Sequence, residues 1–459
     1  MRQGRDVRER LFELKASSSI DRFRRYGGPG RGQGSVARAP KQKGRSLSDP
    51  CLPRFTVQRL RWKDEELGSI KLPKRAMRIR AGFGSGLATR AGEPSRLWAI
   101  CDRGPNLKIK TAVAHYGLDS LAKLSGQSGA KIMPRLDLGP TIAELSITGD
   151  RVDLVRTIRI SDEGGCPVSG LPVPEGAHAQ CEPALDLAGN LLKPDPSGLD
   201  TEGIAALADG GFWVGDEFGP SLVRVDSSGR VLRRLVPEGI VLRGAAYPVK
   251  DSLPAIAAKR QLNRGFEAIA LSSDERWLFL AFQSPLAHPA EEAHQRARHV
   301  RIWRLDLESE EVVAQYLYPL DVPSSFQRDC AKGAMDWSDL KVSELALLSP
   351  DMMLVLERGS ETTKIYRVAL RDELQLAGEH LSIATRPTVE EMSAEPAFAL
   401  PVLEKQLVFT TDDAQQVAAD LEGMAVLSET ELLLVNDSDF SVEGAETSFW
   451  KVSLSRALA

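Results

Sequence analysis

Short apolar runs recur along this chain in pairs, each pair opened by a carboxylate or small polar residue and closed about fifteen residues later by another polar residue. The clearest pair runs from Glu202-Gly203-Ile204-Ala205-Ala206-Leu207, through a turn at Ala208-Asp209-Gly210-Gly211, to Phe212-Trp213-Val214-Gly215-Asp216-Glu217. Two apolar runs joined by an Asp-Gly turn predict a β-hairpin. A hairpin sends the chain out and back, so Glu202 at its start and Asp216 and Glu217 at its end are expected on one rim.

The same pattern returns from Glu267 to Gln283, from Glu344 to Glu357 and Arg358, and from Glu422 to Asn436 and Asp437. An earlier copy opens at Ser85 and closes at Cys101-Asp102-Arg103. Openings at 85, 202, 267, 344 and 422 give steps of 117, 65, 77 and 78. The first step has room for two units, with Ile142 to Arg156 as a degenerate pair inside it. The pattern therefore predicts an all-β chain forming a single six-bladed β-propeller, since repeated antiparallel blades around a channel give that fold. With the hairpins innermost, their polar ends converge on one mouth.

Composition supports one large β domain: 459 residues, 42% hydrophobic and 27% charged, are enough to bury a substantial core. Charge separates the N-terminus from the rest. Residues 1–50 hold 13 Lys and Arg against 5 Asp and Glu, leaving 46 against 58 in the remainder. The Gly27–Gly34 stretch is poor in apolar groups. Residues 1–75 are expected to be a basic, largely disordered tail and lead-in, and residues 76–459 the propeller. Nucleic acid is not an expected partner except through that tail, which has no aromatic residues interleaved for base stacking.

No run is long and apolar enough for a membrane span, and no apolar stretch follows the early arginines as an export signal requires. The expectation is a soluble chain, cytoplasmic as written, with its compartment left open. Five cysteines show no close metal spacing; Cys166 and Cys181 flank one loop and are candidates either for pairing in an oxidising compartment or for free thiols in a reducing cytoplasm. Gly82-Phe83-Gly84-Ser85-Gly86 is out of register for a nucleophile elbow, and no Walker or dinucleotide fingerprint is present. His288, His294 and His299 lack zinc spacing.

The chemistry expected of this chain lies in its rim acids. Glu202, Asp216, Glu217, Glu267, Glu344, Glu357, Glu422 and Asp437, with Asn263 and Asn436, are brought to one mouth by the repeat. Like charges that close either take up protons or bind a cation. Oxygen ligands without histidine or thiolate favour a hard ion, and Ca²⁺ is the natural candidate. The expected metal ligands are Asp102, Glu202, Glu344, Glu357, Glu422, Asn436 and Asp437.

Several segments carry a resemblance to a known family. Leu199-Asp200-Thr201-Glu202-Gly203-Ile204-Ala205 followed by Gly211 to Pro220, then Asn263-Arg264-Gly265-Phe266-Glu267, Leu354 to Arg358, Leu434 to Phe440 and Cys101 to Asn106 resemble, in order, the motifs of the phytase-like domain family. That family is also called esterase-like activity of phytase, and the resemblance spans residues 78–455. It implies a propeller and a phosphoesterase or esterase activity, by relation to calcium-dependent propeller phytases. Two departures weigh against phytate itself as substrate or the export typical of relatives: the chain lacks Asp-rich clusters and a recognisable signal peptide.

Three functions are therefore expected in order of preference. The first is a Ca²⁺-dependent phosphoesterase acting on a small phosphorylated ester. Glu202, Glu267, Asp216 and Glu217 would be its catalytic groups, and Arg103, Arg358 and Asn263 its substrate-binding groups. The second is a calcium-dependent lactonase or carboxylesterase, in which Glu202, Asn263, Asn436 and Asp437 hold the ion and the arginines are dispensable. The third is a non-catalytic propeller platform.

Overall fold

A computed structural model describes residues 55–174, 182–395 and 397–459. The expected tail over residues 1–54 and the cysteines Cys51 and Cys181, with the proposed Cys166 pairing, lie outside the described residues.

The five predicted hairpins that open at 85, 202, 267, 344 and 422 are present, and each forms the first two, antiparallel strands of a larger sheet. The first sheet runs Gly86–Arg90, Glu93–Ile100, Thr141–Thr148, Arg151–Arg159, in that spatial order. The second runs Thr201–Ala206, Phe212–Asp216, Ser221–Val225, Val231–Pro237, with Val249–Leu253 added in parallel at its edge. The third comprises Phe266–Leu271, Trp277–Phe282, His299–Asp306 and Glu311–Pro319, and the fourth Lys341–Ser349, Met352–Arg358, Thr363–Ala369 and Lys405–Thr410. In the fifth, Leu421–Ser428, Glu431–Asn436 and Phe449–Leu454 are completed by Phe55–Leu60 from the other end of the described chain.

The first strands of these sheets neighbour one another in a cycle, first to second to third to fourth to fifth and back to the first. The chain is thus mostly β and propeller-like. Where six units were expected, the described residues form five such sheets, because the degenerate pair at Ile142 to Arg156 supplies the outer two strands of the first sheet. An excursion between Ile100 and Thr141, carrying the helix Ile109–Tyr116 and part of a small three-stranded sheet, accounts for the long first step.

The boundary at residue 75 is also corrected. Phe55–Leu60 pairs residue for residue with Phe449–Leu454, and Glu66–Ile70 pairs with Met77–Arg80. Leu60 is buried at 2% exposure, and Phe55 meets Phe409 edge-on with ring centroids 4.8 Å apart.

Close approach dictates small residues where the first strands meet. A Cβ on Gly86 would stand 2.6 Å from the Glu202 carbonyl oxygen, and one on Gly203 2.6 Å from that of Glu267. Real atoms do not approach that closely, so these positions stay without side chains.

Leu60→Ala tests the role of the first described strand. The substitution is expected to lower unfolding free energy in urea by about 3 kcal/mol, the usual cost of emptying a buried leucine site; a strand outside the core would show almost none.

Candidate functional site

Four of the five first strands break register near their start. In the second sheet Thr201 faces Asp216 and Gly203 faces Gly215, leaving Glu202 unpaired. The same skip leaves out Glu267 in the third sheet, Ser343 in the fourth and Glu422 in the fifth. A β-bulge re-aims the extra residue, and here three of the four extra residues are glutamates. In the first sheet Ser85 occupies the corresponding place, just before the first paired residue Gly86.

The second strands supply a further set. The residue opposite each bulge is Asp216, Phe282, Glu357 or Asn436, and the residue after it is Glu217, Gln283, Arg358 or Asp437. Because side chains alternate along a strand, these two sets face opposite ways. Glu217, Gln283 and Asp437 line one cavity of about 280 Å³ together with Glu202, Glu267, Glu422 and Asp102.

The other set does not reach it. Asp216 is buried against Arg234, 2.6 Å away, and accepts from Ser221 Oγ and the Asp200 amide. Glu357 accepts from Tyr318, Lys405 and the Asp321 amide. Asn436 Oδ1 accepts from Ser448, and its amide donates to the carbonyls of Asp437 and Glu446. The expected rim is corrected for these three: each is committed to partners inside or between sheets.

Glu344 is displaced by one residue. It follows the fourth bulge and so corresponds to Gly203 and Gly423. Its carboxylate accepts the amide N–H of Leu87 in the first sheet at 3.0 Å and that of Leu345 at 3.1 Å. Burial pushes its pKa well above the ordinary value despite these donors. It joins sheets rather than lining the cavity.

In the cavity, single oxygens of Glu202, Glu267 and Glu422 lie within 4.8 Å of one another. Asp200, Glu202 and Glu217 form a second such group, and Asp102, Asp437 and Asp439 a third. Burial raises the pKa of Glu202, Glu217 and Glu267, and neighbouring carboxylates add to the rise for Glu202 and Glu217. Burial also pushes Asp102 and Glu422 up to about 8. Glu217 Oε1, Glu267 Oε2 and Gln283 Oε1 are buried without a hydrogen-bond partner. An oxygen-only donor set with orphaned carboxylate oxygens fits a hard cation such as Ca²⁺.

The arginines are already engaged. Arg103 donates to Glu182 at 2.7 Å, to Asp200, to Glu217 at 3.4 Å and to Asn263 Oδ1 at 3.0 Å, with its guanidinium over the Phe218 ring. Arg358 donates to Ser343 Oγ, the Gly359 carbonyl, Asp420 and Glu422. Asn263, Asp420 and Asp439 all line the cavity with left-handed backbone, φ 57°, 56° and 45°. Such conformations are costly and concentrate at functional sites.

Sequence reading missed Asp200, Asp420, Asp439, Lys131 and Lys341, which also belong to this site. Aligning the Ile204-Ala205, Ile269-Ala270, Leu345-Ala346 and Met424-Ala425 pairs would have put Ser343, not Glu344, in step with Glu202. The histidines make separate local bonds: His288 to the Ile383 carbonyl, His294 to the Pro285 carbonyl and His299 to Ser393. A cavity of about 240 Å³ at the other end of the first strands is lined chiefly by Ala, Ile, Leu and Ser, with Glu275 its one carboxylate. No helix among the described residues is long and apolar enough to cross a membrane.

Comparison with known proteins agrees with the motifs. A profile of the family described as Phytase-like: Esterase-like activity of phytase matches residues 79–440. A curated relative from Arthroderma benhamiae, described as an uncharacterized secreted protein, is 25% identical over 335 residues, covering 63% of this chain and 62% of its own. The chain thus spans less than two thirds of that relative. Among solved structures, Kuenenia stuttgartiensis hydrazine synthase aligns with TM-score 0.32 at 9% identity, covering 83% of this chain and 82% of its own. A PQQ-bound aldose sugar dehydrogenase from Streptomyces coelicolor aligns with TM-score 0.29 at 11% identity, over 88% and 99%.

Two outcomes follow for stability. Asp216→Ala strands a buried Arg234 charge and is expected to cost about 3–5 kcal/mol in denaturant titrations. For Glu422, the folded carboxyl keeps its proton up to about 8, whereas the unfolded one releases it near 4.5. Between those values the folded state binds more protons, so stability falls as pH rises. The thermal midpoint of chelator-treated protein is expected to drop across that window, and to drop less in Glu422→Gln.

Proposed function

We propose, from the premise that this chain belongs to the phytase-like family with its esterase-like activity, that it is a cation-dependent ester hydrolase working in the acidic cavity. We read the five cyclic sheets as one five-bladed propeller, with the cavity at one mouth of its channel. The observation carrying the reading is the approach of Glu202, Glu267 and Glu422 to within 4.8 Å beside an unpartnered Glu217 Oε1.

Glu202, Glu267 and Glu422 are the groups that would hold the ion, and Ca²⁺ is the candidate their chemistry favours. When bound, such a cation neutralises developing negative charge and makes a nearby water more acidic. Glu217 Oε1 takes the proton of the attacking water as the water oxygen bonds to phosphorus or carbon. Burial and the neighbouring Glu267 and Asp200 charges raise its affinity for that proton. The ester oxygen departs with the bonding pair and takes up the proton that Glu217 Oε1 received from the water. Arg103, fixed by Glu182 and Asp200, holds Glu217 Oε2 and so orients the opposite oxygen. Asp102, Asp437 and Asp439 form a flanking group suited to a second ion.

Hydrolysis of a carboxylic ester or lactone is the second reading. It is favoured by the engagement of Arg103 and Arg358 with carboxylates, which leaves neither arginine as a free phosphate clamp.

Assays with p-nitrophenyl phosphate, its bis ester and p-nitrophenyl acetate test the reading. Chelation with EGTA is expected to abolish turnover and Ca²⁺ to restore it. Glu217→Gln should lower kcat by about 100-fold or more, the usual share of a general base. Full activity in EGTA would overturn the cation-dependent mechanism, and full activity in Glu217→Gln would remove that residue from it.

A further inference from the structure

Among the described residues two lysines that line the acidic cavity, Lys108 and Lys341, make no side-chain hydrogen bond or ion pair, and Lys341 is the less exposed of the two. Lys341 begins the first strand of the fourth sheet, two residues before the Ser343 bulge, and lines the cavity. Other cations near it are committed. Arg358 is held by Asp420 and Glu422, and Arg264 donates to the carbonyls of Ser338 and Leu340, each at 3.2 Å. Lys131 donates to Asn106 Oδ1 at 3.0 Å. Among the described residues Lys341 Nζ makes no hydrogen bond or ion pair, and it feels Glu422 and Asp420 only through space.

Lys341 is half-buried, and its ammonium offers three donors that no protein group among the described residues takes up. It is also a compact charge suited to the oxygens of a phosphate. We propose that Lys341 receives the anionic oxygens of the substrate, making this a site for phosphate monoesters in preference to neutral acyl esters. The inference rests on the cavity being the hydrolytic site. It also reassigns anion recognition from Arg103 and Arg358, which the acids neutralise, to a lysine they leave free.

Lys341, Glu267 and Glu422 line the same cavity. The Lys341 charge opposes the rise that burial imposes on the Glu267 pKa, and the Glu422 charge opposes the fall that burial imposes on that of Lys341. A substrate phosphate held there stands beside the glutamates that would hold the ion. Arg264 and Arg358, close enough to repel the Lys341 charge, strengthen the local preference for an anion.

Titration of the full chain with inorganic phosphate, by calorimetry, tests the assignment in the wild type, Lys341→Met and Lys341→Arg. Loss of one charge-assisted bond is expected to weaken phosphate binding about 10-fold or more in Lys341→Met, with Lys341→Arg recovering part of it. The selectivity ratio of kcat/KM for p-nitrophenyl phosphate over p-nitrophenyl acetate should fall by a similar factor, chiefly through KM. A folded Lys341→Met that binds phosphate like the wild type overturns the proposal. So does an equal loss on both esters, because that marks a structural role. Wild-type phosphate binding that depends on Lys341, with no hydrolysis of any ester, supports this inference and overturns only the hydrolase reading.

Discussion

Where the five first strands meet, backbone approaches backbone so closely that side chains have almost no room. Gly86, Gly203 and Gly423 each lie where a Cβ would press on a neighbouring sheet. The fourth sheet breaks this rule with Glu344, and the space left by the glycines admits its carboxylate. There it receives the Leu87 and Leu345 amides and links the fourth sheet to the first. Crowding also explains the bulges one residue earlier. A strand that must keep its next position small can project a large side chain only by leaving regular pairing, and Glu202, Glu267 and Glu422 do this together. The site is thus a consequence of how tightly the sheets are gathered.

Gathering acids this way has an energetic cost that is offset elsewhere. Buried like charges raise one another's pKa and oppose the folded state at neutral pH. Strong pairs lie just outside the cluster: Asp216 with Arg234 inside the second sheet, and Arg103 among Glu182, Asp200 and Glu217. These pairs sit on rigid strands or their immediate extensions, so they hold the acids in place. The residues that shape the pocket's rim, Asn263, Asp420 and Asp439, are left-handed and keep that backbone because surrounding sheets fix both ends of their loops.

Much of this was legible in the sequence, and what was not has identifiable causes. Hairpin boundaries follow from local turn chemistry, so Glu202 with Glu217 and Glu422 with Asp437 were readable as ends of the same units. A one-residue bulge leaves no mark in apolar periodicity, which is why Glu344 was read in the place that Ser343 occupies. Strand alternation separates Asp216 from Glu217 and Asn436 from Asp437, but adjacent acids in a sequence look alike. Partners distant along the chain were the hardest to see. Arg103 stands beside Asp102, yet its carboxylates come from Glu182, Asp200 and Glu217, which only the assembled sheets bring together. The outer strands of the first sheet were hidden for a similar reason, since the excursion between Ile100 and Thr141 makes one sheet look like two.

The same distinction governs how charge is assigned to function. An arginine next to a rim acid in sequence looks like a substrate clamp, but a planar guanidinium with several donors is the group most easily captured by surrounding carboxylates. In an acidic cavity the arginines therefore become structural counter-charges. A cation that remains free must enter from a position whose neighbours are not acids. Lys341 meets that condition, flanked by Leu340 and Val342 and pressed by two guanidiniums that carboxylates or carbonyls already hold. Charge free to meet a ligand is what remains after the fold has paired the rest, and pairing depends on the sheets' geometry more than on the order of residues.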